Sequence, residues 1–253
     1  MTNDNLPLVP KIIFENDDVV VIDKPAGMLV HENLAAGTEG TVTEWFLKSV
    51  PEARGVGEKS LLPDGRELER SGVVHRLDKE TSGVLVLVKN QSAYDFIKMQ
   101  FKNRTVKKEY RAFVYGRINE RYGTIDRPIG RKVGDPKRRS AEGGAKGTLR
   151  EALTYYECIG VGEYKGESFS YVKLLPETGR THQLRVHLRA IDRPIVGDAL
   201  YAEHKINTSN NLELDQLALH AHILDLELAV GERSRFIAPL PTIFERAAER
   251  IAE

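Results

Sequence analysis

Residues 84–88 read Val84-Leu85-Val86-Leu87-Val88, an apolar run held between Gly83 and Asn90. A run of that length bounded by turn formers reads as a buried strand. The chain must therefore build a sheet that other elements cover, with the polar segment feeding this strand at its mouth. That segment is His75-Arg76-Leu77-Asp78-Lys79-Glu80-Thr81-Ser82-Gly83. It gathers acids, bases, two hydroxyls and a glycine in one place. A carboxylate among cations at the end of a core strand is a candidate site, because such groups cluster where chemistry is done. A polar turn capping the strand accounts for the same residues, and spacing alone does not choose.

Length and composition set outer bounds. At 253 residues the chain is long enough for one large domain with its own core. We expect a flexible arm over residues 1–10 and a single domain over residues 11–253. The one cysteine, Cys158, excludes a disulfide framework and fits a reducing compartment. The N-terminal residues carry no apolar signal region, and no window is long and apolar enough to span a membrane. The expectation is a cytoplasmic monomer without membrane attachment. Lys and Arg number 37, as do Asp and Glu, yet the balance is uneven along the chain. Residues 98–150 hold 16 basic against 5 acidic residues. A neutral chain with its positive charge gathered in one segment still presents a footprint for phosphates. Lys107, Lys108, Lys137, Arg138 and Arg139 are the candidate contacts within it.

The pattern of elements is coarse but readable. Ile12-Ile13-Phe14 and residues 19–22 are two short strands around the Glu15-Asn16-Asp17-Asp18 turn. Residues 41–49 suit a helix with Trp45 and Phe46 on its apolar side, and residues 51–71 a long loop or hairpin. Asn90 caps a helix running to about Arg104, with Tyr94, Ile97 and Phe101 as its buried stripe. A strand follows at residues 109–115. Residues 131–147, basic and glycine-rich with no apolar periodicity, read as a loop. Strands resume at residues 153–156 and 168–175. A helix is expected from Thr181 to about Ile191, with Leu184, Leu188 and Ile191 facing inward and His182, Arg185 and Arg189 sharing another face. A last helix begins at Pro241-Thr242. The fold class is α+β.

Other constellations fail. His182 and His187 are five apart and do not share a helix face, and no H-E-x-x-H or nearby Cys/His cluster suggests a metal. No G-x-x-x-x-G-K-[ST] loop exists, so no nucleotide cofactor is expected.

The nonamer containing Asp78 resembles the signature of the RluA-type pseudouridine synthases, and the likeness extends along the chain in the family's order. Val19-Val20-Val21-Ile22-Asp23-Lys24-Pro25-Ala26-Gly27-Met28-Leu29-Val30-His31 is similar to the family's opening strand and turn. Lys108-Glu109-Tyr110-Arg111-Ala112-Phe113-Val114-Tyr115-Gly116 is similar to its tyrosine-bearing strand. Thr178-Gly179-Arg180-Thr181-His182-Gln183-Leu184-Arg185-Val186-His187-Leu188, then Pro194-Ile195-Val196-Gly197-Asp198, resembles its third block. Leu219-His220-Ala221 and Ala238-Pro239-Leu240-Pro241 fit as well.

The resemblance implies a mixed, largely antiparallel sheet with flanking helices around a central cleft; many members carry an S4-like module at the N-terminus, and none is expected here, because the first family-like block begins at about residue 11. It implies conversion of uridine to pseudouridine in structured RNA, ribosomal or transfer RNA stem-loops, without cofactor or metal. Large-subunit ribosomal RNA is the favoured target. The resemblance makes Asp78 the nucleophile, Tyr110 a partner of the uracil and Arg185 the ion-pair partner of Asp78. Arg76, Arg180 and His182 join the basic segment as RNA contacts. A glycoside or nucleoside hydrolase is the competing enzyme class, but hydrolysis normally uses two carboxylates and only Glu80 lies near Asp78 in sequence. A non-catalytic RNA-binding module is the third reading, in which Asp78 would be dispensable.

Overall fold

The computed structural model describes residues 8–32, 40–58, 65, 70–142, 145–202, 205 and 210–252, with the backbone alone at Pro136, Lys137 and Lys146. In chain order the strands are β1 (Lys11–Glu15), β2 (Val19–Lys24), β3 (Ser82–Val88), β4 (Lys107–Tyr115), β5 (Tyr122–Asp126), β6 (Ile129–Lys132), β7 (Asp135–Ser140), β8 (Ala145–Arg150), β9 (Leu153–Tyr164), β10 (Glu167–Pro176), β11 (Leu219–Ala229) and β12 (Glu232–Ile237). The helices are α1 (Val42–Ser49), α2 (Gln91–Lys102), α3 (Gln183–Ala190) and α4 (Thr242–Ala252). They form two compact units, one from Met1–Val106 and Ile223–Pro239, the other from Lys107–His222 and Leu240–Glu253. Strand β11 is divided between them. Every pairing described within a unit is antiparallel. The class is α+β with a largely antiparallel sheet. No helix among the described residues is long and apolar enough to cross a membrane.

In the first unit β1, β2 and β3 lie in sequence order. The Asn16 side chain accepts from the N–H groups of Asp18 (3.0 Å) and Val19 (2.8 Å), closing the turn between β1 and β2. All seven residues of β3 are buried, as its unbroken apolar run requires. Helix α1 starts where Thr41 Oγ1 accepts from the Glu44 N–H (3.1 Å), and it buries Phe46 and Leu47. Helix α2 starts at Asn90, whose Oδ1 accepts from the Ala93 N–H (2.9 Å). Tyr94 and Ile97 are buried, and so is Gln100, which a reading of apolar periodicity passes over. Its amide is satisfied at both ends by the backbone of Glu227 in β11, so its burial leaves no polar group unmet. Gly72 is fixed by close approach. It has φ +76°, and a Cβ there would lie 2.5 Å from the Phe46 ring and 2.7 Å from the Val88 carbonyl oxygen.

In the second unit the order is β4-β10-β9-β5. Strand β9 runs well past residue 156. Lys165 (φ +50°) and Gly166 (φ +77°) supply the two-residue turn that keeps it paired with β10 throughout. Phe113, Tyr115, Phe169, Leu174 and Leu188 are fully buried, and α4 adds Phe244, Ala247 and Ile251. Burying one such large side chain contributes about 1.5–3 kcal/mol.

The expected loop at 131–147 is corrected: most of its described residues lie in β6, β7 and β8, which form a three-stranded sheet of order β7-β6-β8. Its backbone is paired, but it gives little apolar surface to a core. Ile129 and Ala152 flank it in a small cluster with Val186 of α3 and Tyr201, while Val133 and Leu149 between them are exposed. Periodicity reports burial, and where one face is not buried it is silent.

Candidate active site

In the first unit, the segment at the mouth of β3 is held from several sides. Leu77 is buried beside the half-buried Asp78, while Arg76, Lys79 and Glu80 are exposed. The Thr81 N–H donates to the Asp78 carbonyl (3.2 Å), and the Lys79 carbonyl accepts from the Gly27 N–H (2.9 Å). His75 Nε2 accepts from the Val86 N–H (3.1 Å), and its ring stacks on Phe101 at 4.6 Å. His75 is thereby a fixture of the motif.

Lys24 is the residue that sequence reasoning passed over. Its side chain is fully buried at the end of β2, and Nζ donates to the carbonyls of Pro25 (2.9 Å), Met28 (2.9 Å) and Lys79 (3.1 Å). Those three acceptors use all the donors of an ammonium group. Burial pushes Lys24 down to about 7, opposed by the negative charges of Glu80, Asp78 and Asp23. A cation thus acts on Asp78 from within its own unit and also pins the residue that follows it. Arg76 is fixed differently, with Nη1 donating to His31 Nε2 at 3.0 Å.

In the second unit, the Thr178 to Gln183 stretch forms a closed polar knot. Gln183 Oε1 accepts from Thr178 Oγ1 (2.7 Å) and the Arg180 N–H (3.0 Å). Its Nε2 donates to the Leu153 carbonyl and Thr154 Oγ1, each at 3.0 Å. This ties the end of β10 to β9 and sets the start of α3. The helix begins at Gln183, two residues later than expected, because His182 takes the left-handed conformation (φ +57°) as its N-cap. His182 is therefore off the helix, and the expected face shared by His182, Arg185 and Arg189 is corrected. Nearly every side chain of α3 is buried, Arg185 and His187 included.

Arg185 makes a bidentate pair with Asp198, Nε to Oδ2 and Nη2 to Oδ1, both at 2.7 Å. Asp198 Oδ1 also accepts from the N–H groups of Leu200 and Tyr201, each at 3.0 Å. Gly197 (φ +73°) lets this turn form, since a Cβ there would sit 2.3 Å from the Gln216 carbonyl oxygen. The Arg185 guanidinium lies over the Tyr201 ring at 5.2 Å. The Tyr201 hydroxyl accepts from the Arg139 N–H (2.9 Å) and lies 2.9 Å from His182 Nδ1. Three expected residues, Arg139, His182 and Arg185, are thus gathered by Asp198 and Tyr201. Asp198 closes the third family-like block of the sequence without an expected role, and Tyr201 carries no signal that sets it apart from a packing residue.

The other expected residues are more dispersed. Tyr110 lies half-buried on β4 opposite Leu174, packed against the core of its unit. Lys107 and Lys108 open that strand, Lys107 exposed and Lys108 half-buried. Arg180 Nε donates to the Glu151 carbonyl (3.0 Å). Arg138 pairs with Asp135 along β7 (3.1 Å), and the side chain of Lys137 lies outside the described residues. Asp78 and Arg76 belong to the first unit, Tyr110 and Arg185 to the second.

The sequence profile of the family described as RNA pseudouridylate synthase matches residues 18–190. An uncharacterised RNA pseudouridine synthase of Synechocystis is 37% identical over 244 residues, covering 96% of this chain and 68% of that protein. The ribosomal large subunit pseudouridine synthase D of Borreliella burgdorferi is 36% identical over 242 residues, 95% of this chain and 67% of its own. Among solved structures, human RNA pseudouridylate synthase domain containing 1 matches with a TM-score of 0.73 at 26% identity, over 97% of this chain and 90% of that one.

Proposed function

The chain belongs to the RluA-type RNA pseudouridine synthases, isomerases that act on RNA, and on that premise we propose that Asp78 is the nucleophile and that the target uridine lies in large-subunit ribosomal RNA. The reaction breaks the N1–C1′ glycosidic bond, turns the uracil and joins C5 to C1′, after which the proton on C5 leaves. It is redox-neutral and needs no energy source. What it needs is one ionised carboxylate placed against the sugar or base.

The observation that carries the reading is the setting of Asp78. It sits half-buried at the entry of a wholly buried strand, with Lys24 pinning the next carbonyl and adding positive charge. In this reading Arg185 contributes hydrogen-bond donors to Asp78 rather than a full second charge, its orientation supported by the buried Asp198. Tyr110 stacks on the uracil, with its hydroxyl near C5. A stacked or paired uridine is out of reach, so the base is flipped out of the RNA. Arg76 fills the vacated space or holds a phosphate, and Arg180, His182 and the basic strands of the second unit hold the RNA backbone.

Large-subunit ribosomal RNA is favoured because that is the substrate class in the name of the Borreliella burgdorferi relative. Transfer RNA is the second reading of the target, resting on the same chemistry. Pseudouridine mapping by carbodiimide and reverse transcription, in cells with and without the gene, tests the choice. Loss of a large-subunit site is expected. Loss of a transfer RNA site with every ribosomal site intact would move the target and leave the chemistry standing.

A further inference from the structure

His31 is buried, 6% exposed, and has no part in the reaction described above. Its Nδ1 lies 2.8 Å from the Glu32 carbonyl oxygen, which can only accept, so Nδ1 carries the ring proton. Its Nε2 lies 3.0 Å from Nη1 of Arg76, which can only donate, so Nε2 is the bare acceptor. The two partners fix the tautomer and require a neutral ring. Burial agrees, holding the imidazole down at about 4, with the Arg76 and Arg70 charges adding to the effect against the Glu32 hydrogen bond.

The neutrality of this anchor matters for Arg76. An arginine held by a carboxylate has much of its charge cancelled locally, whereas one held by an imidazole keeps it. Arg76 is exposed and pairs with no carboxylate among the described residues. Arg70 brings a second guanidinium that interacts electrostatically with both Arg76 and His31. Its Nε is buried without a hydrogen-bond partner among the described residues. Two neighbouring cations on a neutral support favour an anion, and in an RNA-modifying enzyme the anion at hand is a backbone phosphate.

We propose that His31 is a positioning residue: by accepting from Arg76 it aims that guanidinium, together with Arg70, at an RNA phosphate beside the nucleophile. The inference rests on the reading of Arg76 as an RNA contact. Removing a charged hydrogen bond in this way is expected to change apparent affinity by about tenfold.

The experiment is steady-state kinetics of tritium release from a 5-³H-uridine transcript of large-subunit ribosomal RNA, with thermal unfolding of each variant. His31→Leu removes the acceptor and is expected to raise KM about tenfold while kcat stays within about twofold. His31→Gln retains an acceptor and is expected to recover most of that loss, although both variants sacrifice the ring's packing and unfold at similar temperatures. In an Arg76→Ala background, His31→Leu is expected to add nothing. Equal penalties with and without Arg76, or a wild-type KM in His31→Leu beside an impaired Arg76→Ala, would overturn the positioning role. A wild-type KM in Arg76→Ala would instead remove the RNA contact on which it depends.

Discussion

Arg185 and Asp198 face each other through two parallel N–H···O bonds of 2.7 Å, with their side chains 6% and 0% exposed. Sequence reasoning places Arg185 on a helix face and looks for its partner in Asp78 alone. The structure supplies a carboxylate from the turn after α3, itself fixed by two backbone N–H groups. The guanidinium is thereby oriented before any substrate arrives. Breaking a buried pair from one side leaves the other charge uncompensated, which costs about 3–5 kcal/mol. Arg185→Met and Asp198→Ala are therefore both expected to destabilise the protein by amounts in that range, read from the midpoint of urea unfolding. Both are expected to lose pseudouridine formation. Wild-type stability in Asp198→Ala would show that the pair is not maintained in solution.

Lys24→Met tests the support behind the nucleophile. The substitution keeps a comparable stem but removes the donors to Pro25, Met28 and Lys79, and only the Lys79 carbonyl retains another backbone partner, Gly27. Leaving the buried Met28 carbonyl and the part-buried Pro25 carbonyl without this donor costs about 2–4 kcal/mol together. Stability is expected to fall by that amount in urea titration. kcat is expected to fall as well, because the turn carrying Asp78 loses its anchor and a nearby positive charge. A variant with unchanged kcat would confine Lys24 to folding.

Acid sensitivity follows from two histidines. Burial lowers His31 to about 4, and burial also lowers His187, whose Nδ1 and Nε2 meet Thr154 Oγ1 (2.9 Å) and the Arg127 carbonyl (3.0 Å). In the unfolded chain both titrate near 6.5. Between those values the unfolded state binds more protons than the folded one, so stability rises with pH across the window. The contribution is complete above about 6.5 and is lost as pH falls towards 4. Urea unfolding at steps from pH 7 to pH 4 is expected to show this decline, and a smaller one in His31→Gln. Identical slopes in the two proteins would contradict the assignment to His31.

The small sheet of β6, β7 and β8 is expected to meet the RNA backbone. Replacing Lys137, Arg138 and Arg139 together by Glu should weaken binding to a ribosomal RNA transcript. It should also flatten the dependence of log affinity on log salt, by about one unit of slope for each phosphate no longer neutralised. Fluorescence anisotropy across a salt series measures it. An unchanged slope would take this sheet out of the interface.

What was legible in the sequence follows from which forces leave a local trace. The Val84 to Val88 run announces β3 because its burial is total, and Asn90 announces α2 because a cap is a one-residue signal. Membership of the family is legible through the ordered motifs, and the family profile matches residues 18–190. The β6–β8 sheet left no trace because its strands bury so little apolar surface. The start of α3 was displaced because a buried Gln183 network and a left-handed His182 are tertiary decisions. Asp198 and Tyr201 acquire meaning only once Arg185 and Arg139 are seen beside them. Lys24 stands in the opening strand motif, but a lysine with no exposure at all is not something composition suggests.

The central claim is that Asp78 supplies the carboxylate that attacks. Asp78→Asn keeps the size and shape of the side chain and removes its charge. Tritium release from 5-³H-uridine ribosomal RNA, measured beside anisotropy of binding to the same transcript, separates chemistry from affinity. Release is expected to fall below detection while the dissociation constant stays within about threefold of wild type, since phosphate contacts supply most of the affinity. Release at the wild-type rate from Asp78→Asn would contradict the account.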